Sequence, residues 1–334
     1  MREATDRPAI TVAVVSWNVR ELLDRCLRSL IEPTRRGLTA VVVVDNGSTD
    51  GTVEHVRRHH PWARVVACRE NLGFGAAVNR GLAHAETEWV VAANADIAVP
   101  TGSLDQLLAV AKGAPHCGAA APRLRMPDGS IQSSSFRFPR MSTAILAALG
   151  AHRLSNGLAR RMFGGGEVSD SRPVLVEWAM GALLLLRRSA FEAAGRFDEA
   201  QWMYAEDLDL CWRLRKLGWR TIYVPSATIE HAGGAATSRA FGSPTATVEI
   251  AMAHYRWLHR RRGRTVAGTF AIAQMSGAVA RVAIYWFAVR LRIPGAAERL
   301  GGTARWLRTL WIGWRRVGAS MSSAATPSTQ ERFR

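Results

Sequence analysis

Short apolar runs alternate with longer amphipathic stretches through residues 8–96. PAITVAVVSW (8–17) is a β-branched, nearly uninterrupted apolar run, the pattern of a buried strand. NVRELLDRCLRSLIE follows it, and Leu22, Leu23, Cys26, Leu27, Leu30 and Ile31 fall at helical spacing. TAVVVVDNGSTDGT (39–52) predicts a second buried strand, a polar turn and a helix start. ARVVAC (63–68) predicts a third strand, GAAVNRGLAHA (75–85) a helix, and EWVVAANAD (88–96) a fourth strand. Such alternation predicts an α/β fold whose mostly parallel sheet is covered on both faces. Ligands of these sheets collect at the carboxyl ends of the strands. The polar clusters DNGSTD and NAD stand at those ends.

The second half is less regular. Residues 140–173 read as a mobile connection with one helical piece, loosest at GGG. VLVEWAMGALLLLRRSAF (174–191) predicts a strand passing through a glycine into a short helix. YAEDLDLCWRLRKLGW (204–219) predicts a helix, WRTIYVP a strand, and ATIEHAGGAATSR (227–239) a strand entering a Gly-rich loop. Helical patterning resumes from about Thr245 to Arg262.

Composition changes this picture in two ways. The 334 residues are 48% hydrophobic, enough for a sizeable core, and carry a net charge of +17. From Ala251 onward, 15 Arg stand against 2 Glu, so +13 of that charge lies in the last quarter. A nearly balanced body thus carries a basic tail, which points to a polyanionic partner. The four cysteines show no metal-finger spacing and are expected as reduced thiols. MREATDRPAI has no apolar core of a secretory signal.

Several polar positions invite two readings. Asp45, at a strand end, can accept the ring N–H of a pyrimidine base, or open an Asx turn that Ser48, Thr49 or Asp50 completes as a helix cap. Asp96 can hold an oxygen-seeking divalent cation, or belong to an ordinary turn. His231 beside Gly233 and Gly234 fits a ligand or a structural imidazole. Glu206, Asp207 and Asp209 suit a helix N-terminus, and Asp209 can pair with Arg213 at i, i+4. Dipole compensation accounts for one or two acids more readily than for three.

Taken in order, VVSWNVRELLDRCLRSL, VVVVDNGSTDGT, NLGFGAAVNRGL, AANADI, EWAMGALLLLRRSAFEAAGRFDE, YAEDLDLCWRLRKLGW and HAGG resemble the family 2 glycosyltransferases of GT-A fold. The NLGFGAAVN and YAEDLDLCWRLR versions are most similar to bacterial rhamnosyltransferases of cell-wall and polysaccharide assembly. The resemblance implies inverting transfer from a nucleotide-diphospho-sugar, with L-rhamnose from dTDP-rhamnose as the expected donor, to a glycan or polyprenyl-linked glycan. Other donors such as a UDP-hexose or UDP-galactofuranose, or a non-catalytic glycan-binding role, are its alternatives. A nucleotidyltransferase would need a Gly/Lys-rich triphosphate loop that VVSWNVREL lacks.

The resemblance also assigns roles. Asp45 contacts the base, and Val15 and Ser16 line the same pocket, shaped by Asn71, Gly73 and Asn79. Asp96 matches the metal-binding acid of a DxD motif whose first acid is Asn94 here, so Mg²⁺ or Mn²⁺ rests on Asp96 and on His231. Asp207 matches the general base, with the helix terminus favouring its ionised form and Glu206 orienting the acceptor or a loop. Trp178 and Gly181 face the acceptor and the sugar.

In the basic tail, TVAGTFAIAQMSGAVARVAIYWFAVR (265–290) is apolar but marginal in length for a membrane span. ERLGGTARWLRTLWIGWRR (298–316) places Trp306, Leu307, Leu310, Trp311 and Trp314 on one face, with arginines around it. Such a helix suits a membrane headgroup region, and no nucleic-acid motif accompanies it. The expected organisation is a GT-A domain over 8–262, a basic amphipathic extension over 263–318 and a disordered tail over 319–334. The expected location is cytoplasmic, peripheral on the inner face of the cell membrane and against its anionic surface.

Overall fold

The computed structural model describes residues 8–148, 172–233 and 235–322. The chain divides into two compact units, Met1–Arg137 with Gly165–Ala240, and Phe138–Gly164 with Phe241–Arg334.

The first unit is built on one large sheet. Strands β1 (Ile10–Ser16), β2 (Thr39–Asp45), β3 (Arg64–Ala67) and β4 (Trp89–Asn94) are parallel, in the order β3-β2-β1-β4. Helices α1 (Arg20–Arg35), α2 (Thr52–His59) and α3 (Phe74–Gly81) connect them. Alternate residues of β1 enter opposite core layers. Val12 and Val14 pack with Leu23, Leu27 and Leu30 of α1, whereas Ala13 packs with Val78 of α3. That two-sided burial is why the strands read as continuous apolar runs.

Beyond β4 the sheet becomes mixed. It continues through β11 (Leu183–Arg187), β6 (Cys117–Arg125), β12 (Arg220–His231) and β5 (Ile97–Ala98). β11 is antiparallel to β4 and β6, and β12 is parallel to β6. The expected strand at 174–191 is divided among β9 (Val174–Val176), β10 (Trp178–Ala179) and β11, followed by α6 (Arg188–Ala193). Helix α4 (Ser103–Lys112) precedes β6, and the two-residue strands β7 (Ile131–Gln132) and β8 (Ser135–Phe136) follow it. The acidic helix is α7 (Glu206–Lys216). The two strands expected around Pro225 form the single strand β12, whose register shifts between Val224 and Thr228 opposite Pro122 and Arg123. A proline offers no N–H to the ladder, so a slip beside Pro122 avoids an unmatched carbonyl.

The second unit is helical among its described residues. It holds α5 (Met141–Ala148), α9 (Arg264–Arg290), α10 (Ala296–Ser322) and most of α8 (Ala235–Arg262). Helix α8 begins ten residues before the expected Thr245, because small residues with Gly242 and Pro244 hide the helix from apolar periodicity. Helix α5 is the helical piece of the expected connection, whose residues 149–171, including GGG, lie outside the described residues. The tail beyond 322 also lies outside them. The tryptophan face of α10 divides: Leu310 is buried and Trp314 packs on Tyr255, while Trp306 and Trp311 stay exposed. Gly277 lies so close to α5 that a Cβ there would approach the Ala148 Cα to 2.3 Å.

Candidate active site

The parallel register brings Ser16 beside Asp45, and Val15 beside Asn94, at the carboxyl ends of β1, β2 and β4. Val15 and Asn94 are half-buried, whereas Ser16 and Asp45 are buried. Asp45 Oδ2 accepts the Ser48 N–H at 3.1 Å. Its Oδ1 and the Ser16 hydroxyl have no hydrogen-bond partner among the described residues. Buried polar atoms are costly to leave unsatisfied, so two neighbouring orphans at a strand end are what a polar ligand would complete. The capping role falls to Asp50, which accepts the N–H groups of Arg20 and Thr52, the first residues of α1 and α2. Asp45 closes an Asx turn onto Ser48 through Oδ2 and keeps Oδ1 without a partner among the described residues.

A buried amide cluster walls this strand end. Asn46 donates to Asn71 Oδ1 at 2.8 Å and accepts the Leu72 N–H at 2.9 Å, and Asn71 Oδ1 accepts the Gly73 N–H at 3.0 Å. Gly73 has φ +84°, and a Cβ there would stand 2.1 Å from the Trp202 carbonyl oxygen. No other residue type fits without moving the backbone. Asn79 spends its amide on Phe197 and Glu199, so it braces the wall from behind. Asn46 was not singled out in the sequence, although it adjoins Asp45 in the same motif.

The two residues expected to hold a cation converge where β5 meets β12. His231 pairs in register with Ile97, the neighbour of Asp96, and His231 Nε2 lies 3.3 Å from Asp96 Oδ1. The other imidazole nitrogen, Nδ1, stands 2.6 Å from Gln132 Oε1. An amide oxygen only accepts, so Nδ1 carries a proton and donates it to Gln132. The buried Nε2 makes no hydrogen bond among the described residues. Nε2 and Asp96 Oδ1 face each other at 3.3 Å, and ligands sharing one divalent ion stand about 3.0–3.5 Å apart. The donor set therefore fits a divalent cation. Gln132, which holds the ring through Nδ1, lies on a two-residue strand that no periodicity reveals.

The acidic helix holds its three carboxylates in different surroundings. Tyr204 and Ala205, both at φ +59°, turn the chain sharply into α7. Left-handed backbone at two successive non-glycine residues is strained, and such strain gathers at functional sites. Asp207 is buried; its Oδ2 accepts the Gly181 N–H at 2.9 Å and its Oδ1 the Leu208 N–H at 2.7 Å. Burial pushes its carboxyl up to about 6, against the lowering effect of those backbone N–H groups. Burial thus outweighs the helix terminus. Glu206 is raised well above the usual range by burial and by the charge of Asp207, and its Oε2 has no hydrogen-bond partner among the described residues. Asp209 pairs with Arg213 at 2.8 Å, as its spacing predicts. Gly181 lies against Asp207, and Trp178 stacks on Phe136 at 4.6 Å while donating to the Arg137 carbonyl. A buried carboxylate near pKa 6 is suited to take a proton at neutral pH.

Comparison with known proteins gives a consistent family. The profile of the family described as glycosyltransferase like family 2 matches residues 8–259. An N-acetylglucosaminyl-diphospho-decaprenol L-rhamnosyltransferase of Mycobacterium tuberculosis is 35% identical over 281 residues, covering 79% of this chain and 91% of the relative. Among solved structures, a mannosyltransferase from Pyrobaculum calidifontis, in complex with GDP-Man and Mn²⁺, superposes with a TM-score of 0.60 at 22% identity. That match covers 94% of this chain and 88% of the other. GalNAc-T7 with UDP, GalNAc and Mn²⁺ gives 0.52 at 15% identity, over 76% and 51% of the two chains. These structures share the GT-A fold with this chain.

Proposed function

The chain belongs to glycosyltransferase family 2, and on that premise we propose that it transfers L-rhamnose from dTDP-rhamnose to a glycan carried on a polyprenyl diphosphate. The observation that carries the chemistry is Asp207, buried, held by two backbone N–H groups and raised to about 6. The choice of sugar and acceptor rests on the name of the mycobacterial relative.

In this reading the donor base meets the orphan atoms of Asp45 and Ser16, while Asn46, Asn71 and Gly73 hold the wall of its pocket. Asp96 and His231 would hold Mg²⁺ or Mn²⁺, which neutralises charge on the diphosphate when bound. Asp207 removes the proton from the acceptor hydroxyl. The hydroxyl oxygen bonds to the anomeric carbon from the face opposite the diphosphate, and the carbon–phosphate oxygen bond breaks, its electron pair leaving with dTDP. One displacement inverts the anomeric centre and needs no covalent nucleophile. Glu206, whose carboxyl is raised well above the usual range by burial and by Asp207, lies next to that base.

The enzyme works at the inner membrane face. Trp306 and Trp311 are exposed beside Arg305, Arg308, Arg315 and Arg316, a composition suited to anionic headgroups. Helix α9 has a mean hydropathy of 1.3 over an 18-residue window, of which 11% is buried.

A donor panel tests the sugar assignment. Binding of dTDP-rhamnose, UDP-hexoses and UDP-galactofuranose is compared with Mg²⁺ and with Mn²⁺. The expected result is tightest binding of dTDP-rhamnose; tighter binding of a UDP-sugar overturns the assignment.

A further inference from the structure

A second set of cation donors converges on the helices that follow β1 and β2. Asp24 lies on α1, His55 on α2 and His60 directly after α2. Asp24 Oδ1 stands 2.9 Å from His55 Nε2 and 2.8 Å from His60 Nε2. All three atoms lie within 4.8 Å of one another. None of these residues belongs to the Asp96–His231 pair.

We propose that Asp24, His55 and His60 form a transition-metal site, best suited to Zn²⁺, that ties α1 to α2. Two imidazoles and one carboxylate are a donor set for Zn²⁺, Co²⁺ or Ni²⁺, whereas Mg²⁺ prefers oxygen alone. The four residues between His55 and His60 fall in the usual spacing of zinc-binding histidine pairs. Zinc bonds of about 2.0–2.2 Å in a tetrahedron place neighbouring ligands about 3.3–3.5 Å apart. The ion therefore seats after Asp24 Oδ1 parts from the two imidazole nitrogens by about half an ångström.

The donors are already oriented. Arg28 Nε donates to Asp24 Oδ2 at 2.6 Å, which leaves Oδ1 facing the imidazoles. His59 donates from Nδ1 to the His55 carbonyl at 3.0 Å, and the rings of His55 and His59 stack at 4.3 Å. Each imidazole donates its Nε2–H to Asp24 Oδ1 in the metal-free chain, so an incoming ion displaces those two protons as it binds. The Asp24 and His55 side chains are 18% and 24% exposed, giving the ion an entry path and water a fourth position.

The consequence is local stiffness. Asp50 already joins the first turns of α1 and α2. A metal at Asp24, His55 and His60 fastens the same two helices again further along. These helices follow the strands that end in Ser16 and Asp45, so the ion steadies the frame of the nucleotide pocket.

The test uses the full-length chain. Zn²⁺ binding is followed by calorimetry and thermal unfolding, and Co²⁺ by visible absorption, in the wild type and in Asp96→Ala, His55→Gln and Asp24→Asn. The expected result is one equivalent bound by the wild type and retained in Asp96→Ala, with tetrahedral Co²⁺ absorption and a raised Tm. Affinity should fall at least about tenfold in His55→Gln and Asp24→Asn, by analogy with losses at metal sites. If Asp24→Asn does not fold, the partly exposed His55 carries the test. No bound equivalent in the wild type, unchanged affinity in His55→Gln, or loss in Asp96→Ala alone would each overturn the proposal. None of these readouts depends on glycosyl transfer, so failure here leaves the proposed activity standing.

Discussion

The strand-end pocket and the helical unit are incomplete in opposite senses. At the ends of β1 and β2, polar atoms of Ser16 and Asp45 are buried with no hydrogen-bond partner among the described residues. On α9 and α10, apolar side chains such as Phe287, Trp306 and Trp311 are exposed. Each arrangement is costly in water, the first through unmet hydrogen bonds and the second through uncovered apolar area. The missing partners therefore differ in chemistry. In the proposed function a nucleotide would answer the first, and an interface apolar beneath and anionic above would answer the second.

Substitutions at the polar end carry the largest expected effects. Asp207→Asn should lower rhamnosyl transfer by about 10²- to 10⁴-fold, the usual worth of a general base. Calorimetric donor affinity should stay near the wild-type value, because Asp207 is bonded to Gly181 and Leu208 and not to the nucleotide wall. A parallel loss of donor binding would make Asp207 a structural residue. Next in size is Gln132→Ala. Releasing the His231 ring should weaken Mn²⁺-dependent donor binding by about 10- to 100-fold, with Asp96→Ala at least as severe. An unchanged metal titration in both variants would remove the pair from the cation site.

The apolar end should yield less per residue. Trp306→Ala with Trp311→Ala should reduce partition onto vesicles containing anionic lipid by about tenfold, since both rings are already partly solvated in solution. Transfer to a soluble acceptor analogue should be unaffected. Partition that ignores both substitutions would place the membrane contact elsewhere.

Much of the polar end was legible in the sequence. Asp45, Asp96 and Asp207 stand at strand ends or a helix start, where hydrophobic periodicity gives way to a polar cluster. The partners that define their state were harder to read. Gln132 sits on a two-residue strand, too short for any period, and Asn46 was overshadowed by its neighbour Asp45. The strand CGAAAPRLR carries alanines and a proline, weak strand formers, and it belongs to the sheet because β11 and β12 flank it. At the helical end, the tryptophan stripe read as one face, yet it spans enough of the helix circumference for Leu310 to turn inward while Trp311 turns outward. Periodicity reports that a face is apolar, and packing decides how much of it is used.

The proposed chemistry turns on Asp207. Its burial raises the carboxyl to about 6, and a base must be ionised to act. Transfer measured as kcat/KM across pH 4.5–8.5 should therefore rise tenfold per pH unit below about 6 and level off above it. In Asp207→Asn, the residual rate should lose that limb. A wild-type profile that stays flat through pH 6, or an acidic limb that survives the substitution, would contradict the assignment of Asp207 as the base.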